Sequence, residues 1–370
     1  MKKLLIINGV CGIKSTGKIV ADIAKNYKNK GWKVFIAYGR ENSSKQLENI
    51  SYRIGSEFSV RVNAFLCRLF DNDGFASKSQ TKKLLKWADT INPDELWLHN
   101  LHGYYLNVKL LFEWIKSRPQ MTVNWTLHDC WAFTGHCVHF SFRKCYKWQS
   151  LCHKCPAKNE YPASWVLDRS KRNFELKKSA FLGVERLRLF VVSNWLKDLA
   201  QKSFLGIYPI ETRYNSVDDT LFHFTPSNLR TKLDLEEKIV LLGVATAWSQ
   251  KKGLYDFIQL SKVLPNKFQI VLIGIDDKTK EKFKISNKIL CIPKTNDQIE
   301  LAKFYSMSDL FLNLSYEETF GLTVVEAKKC GAKVLVYKDT ACEEVLNLYG
   351  GGIIVDQNVS AVERTILELF

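Results

Sequence analysis

Ser315-Tyr316-Glu317-Glu318-Thr319-Phe320-Gly321-Leu322-Thr323-Val324-Val325-Glu326-Ala327 places Glu318 and Glu326 eight positions apart, with a glycine turn between them and an apolar helix behind. Upstream, Asp309 to Leu314 reads as a short buried strand; downstream, Val324 to Lys328 reads as the first turns of a helix. The Phe320-Gly321-Leu322-Thr323 turn then aims free backbone N–H groups above the strand end, where the helix dipole favours an anion. A diphosphate meets that requirement. Glu318, in the loop, is placed for sugar hydroxyls, and Glu326, one turn into the helix, for a pair of ribose hydroxyls. Taken alone, the segment also fits a helix start with acidic residues near its positive end.

The chain around it has 370 residues, more than one ordinary core holds, and suits two domains of about 150 to 200 residues. With 46% hydrophobic and 25% charged residues it has the composition of a soluble globular protein. No apolar run approaches the roughly 18 to 20 residues that span a bilayer. Met1 to Asn8 is too short an apolar stretch for a signal peptide and reads as a first buried strand, so a cytoplasmic protein is expected.

Strand-like runs alternate with helix-like segments. Leu4–Asn8, Val34–Tyr38, Leu96–Leu98, Thr122–Leu127 and Leu189–Val192 read as strands, with helices at Gly17–Lys28, Phe58–Phe70, Thr81–Ala88, Val108–Lys116 and Asn194–Ala200 between or after them. The second half repeats this grammar with strands at Ile239–Ala245, Gln269–Ile273, Ile289–Ile292, Leu310–Leu314, Lys333–Tyr337 and Gly352–Val355. Alternation of this kind predicts an α/β protein of parallel sheets with crossover helices. Two Rossmann-like domains are expected, residues 1–205 and 206–370, with ligands at the carboxyl ends of the strands and a hinge near Tyr208 to Asp218.

The E-x7-E spacing with Phe-Gly-Leu-Thr between resembles the donor motif of the retaining glycosyltransferases of family 4. That resemblance runs over nearly the whole chain and implies the GT-B fold, two Rossmann-like domains facing each other across a cleft. It also implies that Glu318 contacts the transferred sugar, Glu326 the ribose, and the Phe320 to Thr323 turn the diphosphate. The family's linker glycine is replaced by Ser216, and its last helices cross back to the first domain. Here the chain stops at Phe370, so that closure is expected to be abbreviated or truncated.

Gly9-Val10-Cys11-Gly12-Ile13-Lys14-Ser15-Thr16-Gly17-Lys18-Ile19 follows the first strand. Gly12 to Lys18 matches G-x4-G-K, but Ile19 stands where a P-loop needs a Mg²⁺-binding hydroxyl, which argues against an NTPase. The remaining readings are a glycine loop, with Gly9 and Gly12, that lets backbone approach donor or acceptor, and a plain turn. In the family, an arginine and a lysine hold the leaving diphosphate at the turn after the second domain's first strand. Lys252 matches the lysine, Thr246 stands in the arginine's place, and Lys251 is a partial substitute. His128 and Asp129 end the strand Thr122–Leu127, and His99 and His102 follow Leu96–Leu98, all at strand carboxyl ends. By resemblance His128 lies near sugar and acceptor, and a core histidine bonded to Asp129 is the plainer alternative; the strand-end position of His99 and His102 places them, with Asp129, on the acceptor side.

Cys137, Cys145, Cys152 and Cys155 fall in a segment, residues 129–160, that reads as an insertion; its C-x2-C end has the knuckle spacing of a tetrahedral zinc site. A related bacterial subgroup carries His-Asp-Cys-Trp-Ala-Phe-Thr-Gly-His-Cys and a similar insertion. Structural zinc and reduced buried thiols are the two readings. Residues 1–210 hold 34 Lys and Arg against 16 Asp and Glu, a balance of +18, while residues 211–370 hold 20 against 22. One domain is therefore expected to meet an anionic surface such as a membrane. The segment Trp165 to Phe181, basic and amphipathic, is a candidate for lying on a bilayer or, alternatively, for packing in the core.

Together these readings point to an enzyme that moves a sugar from a UDP- or GDP-sugar to a glycan or lipid-linked acceptor of bacterial capsule or exopolysaccharide, with no cofactor needed for catalysis and no nucleic acid partner. A basic nucleic-acid-binding protein would explain the charge and leave Glu318 and Glu326 unexplained. A zinc-stabilised scaffold with a degenerate donor site is the other alternative, given Thr246.

Overall fold

In the computed structural model, which describes residues 1–295 and 297–370, the apolar runs become two parallel sheets. Leu4, Leu5, Ile6 and Ile7 are all buried, as expected where helices cover both faces of a strand. The first sheet comprises β1 (Lys3–Asn8), β2 (Lys33–Tyr38), β3 (Ser51–Arg53), β4 (Glu95–Leu98), β5 (Thr122–Leu127), β6 (Leu187–Val191) and β7 (Ile210–Thr212), in the order 3-2-1-4-5-6-7. The second comprises β8 (Ile239–Val244), β9 (Phe268–Ile273), β10 (Ile289–Ile292), β11 (Leu310–Asn313), β12 (Val334–Tyr337) and β13 (Ile353–Val355), in the order 10-9-8-11-12-13. Strand order reverses beside β1 in one sheet and beside β8 in the other, the position at which open α/β sheets bind ligands.

The chain divides into Met1–Arg213 and Tyr214–Phe370. The boundary lies eight residues beyond the expected one because Ile210–Thr212 pairs with Leu189–Val191 as an edge strand, so the stretch read as hinge begins inside the first sheet. β3 and β7 are three residues each and carry polar side chains, so neither offers an apolar run to read.

Residues 129–160 contain only the short 3₁₀ turns Trp131–Phe133 and Lys147–Gln149. They are held by aromatic packing, Phe140 stacked on Trp148 at 4.7 Å and Phe133 beside Trp148 at 5.3 Å. The helix Ser170–Phe181 buries Asn173, Phe174, Lys177, Ala180 and Phe181, with Phe181 against Phe112 and Trp125. It is a core helix, and its apolar face is not available to a bilayer. Among the described residues, no helix is long and apolar enough to cross a membrane.

Candidate active site

Gly321 starts the helix Leu322–Lys329 with φ +88°, and a Cβ there would lie 2.7 Å from the Cys342 sulfur. Glycine is required on both counts. No side chain caps this helix, which leaves its first N–H groups and the positive dipole end to an anion. Phe320 is buried below the turn, while Leu322 and Thr323 are half-buried. Asn313, the last residue of β11, donates to Thr323 Oγ1 at 3.3 Å and accepts from Ser315 N–H at 3.1 Å, tying strand, loop and helix start together.

The turn after β8 docks on this loop. Gly253, at φ +73°, packs so closely that a Cβ would sit 2.3 Å from the Leu314 carbonyl oxygen, and Tyr316 N–H donates to the Lys251 carbonyl at 2.9 Å. Two adjacent lysines consequently meet two adjacent glutamates: Lys251 Nζ donates to Glu317 at 2.6 Å and Lys252 Nζ to Glu318 at 2.5 Å. Glu317 is buried, whereas Lys252 and Glu318 keep about a third and a fifth of their side chains exposed. Burial pulls the Lys252 ammonium down, but Glu318 outweighs it and the net shift is upward. Lys252 is thus a fixed cation. Thr246 is exposed in the same turn. Further along the helix, Tyr305 OH donates to Glu326 Oε2 at 2.8 Å; burial and Glu326 both push the Tyr305 phenol up, so it remains a donor that orients the carboxylate.

In the first domain Gly12 has φ +68° and no room for a Cβ, which would meet Ser44 Oγ at 2.1 Å. Gly9 carries no such constraint; its carbonyl accepts the N–H groups of Gly39 and Arg40. The helix that follows, Lys14–Asn29, also starts without a side-chain cap. At the ends of β4 and β5, His99 Nδ1 and His128 Nε2 share a hydrogen bond of 3.0 Å. Burial lowers both rings, His99 strongly and His128 to about 4, so they are neutral at pH 7 and one nitrogen donates to the other. His102 Nε2 lies 2.8 Å from Asp129 Oδ2, and its Nδ1 lies 3.1 Å from the Tyr161 hydroxyl. Burial disfavours both charges, yet each ion outweighs it for the other: His102 is raised and Asp129 held at about 2. Behind them Asp73 accepts the N–H groups of Gly103 and Tyr104.

The sequence model of the glycosyl transferases group 1 matches residues 227–370. The chain is 32% identical to the Escherichia coli (strain K12) protein named for colanic acid biosynthesis as the glycosyl transferase WcaC, over 87% of this chain and 78% of that one. It belongs to the group 1 glycosyltransferases. Among solved structures, sucrose-phosphate synthase from Thermosynechococcus elongatus aligns with a TM-score of 0.68 at 12% identity, covering 100% of this chain and 90% of that one. Anabaena HepE, solved with UDP-glucose, aligns with a TM-score of 0.62 at 15% identity, covering 100% and 89%. These two share the transferase's fold, GT-B, with two Rossmann-like domains.

Several groups in these two regions of the transferase carry no motif. The Lys251–Glu317 pair is visible in hindsight as a Lys-Lys doublet matching a Glu-Glu doublet. Lys177, wholly buried, donates to the carbonyls of Trp131 at 2.7 Å and Thr134 at 3.0 Å, and burial lowers it to about 8. Its place among Ser170, Asn173, Phe174 and Phe181 at helical spacing marks a buried face. Asp73 and Tyr305 had no local signal. In the cysteine segment, Cys137 and Cys155 share a thiol hydrogen bond that pushes Cys137 up and draws Cys155 down to about 7; Cys152 accepts the Gly135 N–H at 3.3 Å. Among the described residues no group of three or more His, Cys, Asp or Glu side chains is placed to hold a metal ion, so no function is derived through one.

Proposed function

We propose that this group 1 glycosyltransferase moves a sugar, with retention at the anomeric carbon, from a UDP- or GDP-sugar to a glycan or lipid-linked oligosaccharide acceptor in bacterial surface polysaccharide synthesis. The observation that carries the donor half is the Lys252–Glu318 pair beside the uncapped start of the helix Leu322–Lys329. In this reading the N–H groups of Gly321 to Thr323 and the Lys252 ammonium take the diphosphate. Glu326, held by Tyr305, takes the ribose hydroxyls. Glu318 exchanges its bond with Lys252 for the hydroxyls of the transferred sugar.

Charge builds on the leaving diphosphate as the sugar departs, so a fixed cation and preorganised N–H groups there lower the barrier. The leaving oxygen then takes the acceptor's proton on the same face of the sugar, and no side chain forms a covalent intermediate. In the first domain, neutral His128 and His99 suit hydrogen bonds to acceptor or sugar hydroxyls, and the His102–Asp129 pair fixes the neighbouring loop. The named pathway of the Escherichia coli relative supports a polysaccharide setting, and the UDP-glucose held by HepE supports a nucleotide-sugar donor.

Thermal-shift screening against UDP-, GDP- and ADP-sugars identifies the donor. With that donor, Glu318→Ala is expected to lower transfer at least a hundredfold, about 2.7 kcal/mol of barrier, while leaving the fold intact. Turnover equal to wild type would remove the proposal.

A further inference from the structure

The helix Glu57–Phe70 buries Val60, Ala64 and Cys67 on one face. Its opposite face is apolar too: Phe58 is 76% exposed, Val62 40% and Phe65 52%, where a surface helix ordinarily carries polar residues. The stripe continues beyond the helix. Trp165 N–H donates to the Arg68 carbonyl at 2.6 Å and Leu167 N–H to that of Leu69 at 3.3 Å, so the loop Trp165-Val166-Leu167 runs beside the last turn and adds Trp165 and Val166 to exposed Phe70. Single exposed apolar residues need no explanation, but three on one face of a helix, with exposed Phe70, Trp165 and Val166 at its end, mark an interaction surface.

Its rim is cationic. The Arg68 guanidinium lies 5.5 Å over the Trp165 ring and that of Arg169 5.8 Å over Phe70. Next to the stripe is an open hollow of about 390 Å³, lined by Asn63, Leu66, Phe75, Lys78, Arg169 and Arg172 among others. Arg68, Lys78, Arg169 and Arg172 form no ion pair with an acidic side chain among the described residues; Glu57, the acid at the helix start, is shared by Arg53 and Arg61. Aromatic side chains flanked by arginines suit the headgroup level of an anionic bilayer, with rings among the headgroups and guanidinium groups on the phosphates. A second copy of the chain would instead set these arginines against one another.

We propose that this face docks the protein on an anionic phospholipid bilayer, with Phe58, Phe65 and Trp165 inserted among the headgroups and Arg68, Arg169 and Arg172 on the phosphates. It sharpens the lipid-linked acceptor of the proposed function, rests on that reading for its purpose, and keeps Trp165, Arg169 and Arg172 of the segment Trp165 to Phe181 at the membrane while the helix Glu57–Phe70 supplies the apolar face.

Flotation of the full chain is compared on vesicles of phosphatidylglycerol with phosphatidylethanolamine and on vesicles of phosphatidylcholine. The wild type is expected to float with the anionic vesicles, more weakly as salt rises, and to stay behind with the neutral ones. Phe58→Ser with Phe65→Ser, or Arg169→Gln with Arg172→Gln, is expected to lower the bound fraction at least tenfold; Phe58→Ser alone serves if the double variant melts early. Equal flotation of variants and wild type, equal flotation on neutral vesicles, or a Phe58-dependent dimer in sedimentation without lipid would overturn the docking face. Calorimetric binding of a UDP-sugar in the same samples reads the donor site separately. Its absence from the wild type removes the functional reading and leaves flotation to decide this one.

Discussion

Gly321 shows how one residue can serve both the fold and the proposed donor site, since its left-handed backbone starts the helix whose first N–H groups are proposed to take the diphosphate. Gly321→Ala forces a Cβ into the Cys342 sulfur at 2.7 Å and is expected to cost about 1–2 kcal/mol of stability. Urea unfolding measures that cost, and calorimetry is expected to show weaker donor binding than in wild type. The His102–Asp129 pair gives a pH test. His102 is raised from its ordinary value of 6.5, so its contribution is complete below 6.5 and fades as pH climbs through the raised value. Asp129 is held down at about 2 from 3.8, so its contribution is complete above 3.8 and fades as pH falls toward 2. Asp73 and Lys177 act on His102 with opposite signs and do not reverse its net shift. His102→Gln is therefore expected to cost most stability between pH 3.8 and 6.5 and progressively less at higher pH. Unfolding at pH 5.5 and 8.5 tests this; a cost that grows with pH would refute it.

At the scale of elements, the apolar runs were readable because each carries its own signal, strongest where, as in β1 and β11, nearly every residue is buried. β3 and β7 were not, since Ser51-Tyr52-Arg53 and Ile210-Glu211-Thr212 offer no apolar run and only their neighbours make them strands, whereas the equally short Ile353-Ile354-Val355 was readable. The helix Ser170–Phe181 carries basic residues that read equally as lipid-facing or solvated; packing of Phe174 and Phe181 decides for the core. The cysteine segment is the least regular element, and a structural zinc on Cys137, Cys145, Cys152 and Cys155 remains a proposal that metal analysis decides. Zinc predicts about one ion per chain after chelator-free purification, and earlier melting of Cys152→Ser. Thiols alone predict far less zinc, with the Cys137–Cys155 hydrogen bond as the link between them.

For the whole molecule, the residues proposed to hold the donor, Lys252, Glu318 and Glu326, all fall in the second of two compact units. Hydrogen exchange is thus expected to slow on UDP addition at residues 250–253 and 315–326. Protection confined to residues 1–213 would argue against the donor assignment. The +18 balance of residues 1–210 fits the proposed lipid-facing stripe on the first unit, and the near-neutral balance of residues 211–370 fits a proposed donor site built from a few fixed groups.

The sequence by itself determined two Rossmann-like sheets, the helix start at Gly321, and the candidacy of Glu318, Glu326, Lys252 and His128. Each depends on a local pattern of period, turn or helix terminus. Only the tertiary structure decided that Lys252 holds Glu318, that Tyr305 holds Glu326, that His99 meets His128, and that exposed Trp165 lies beside the last turn of the helix Glu57–Phe70. Those partners lie 21 or more positions apart, beyond the reach of a local pattern, and the packing of strands and helices brings them together.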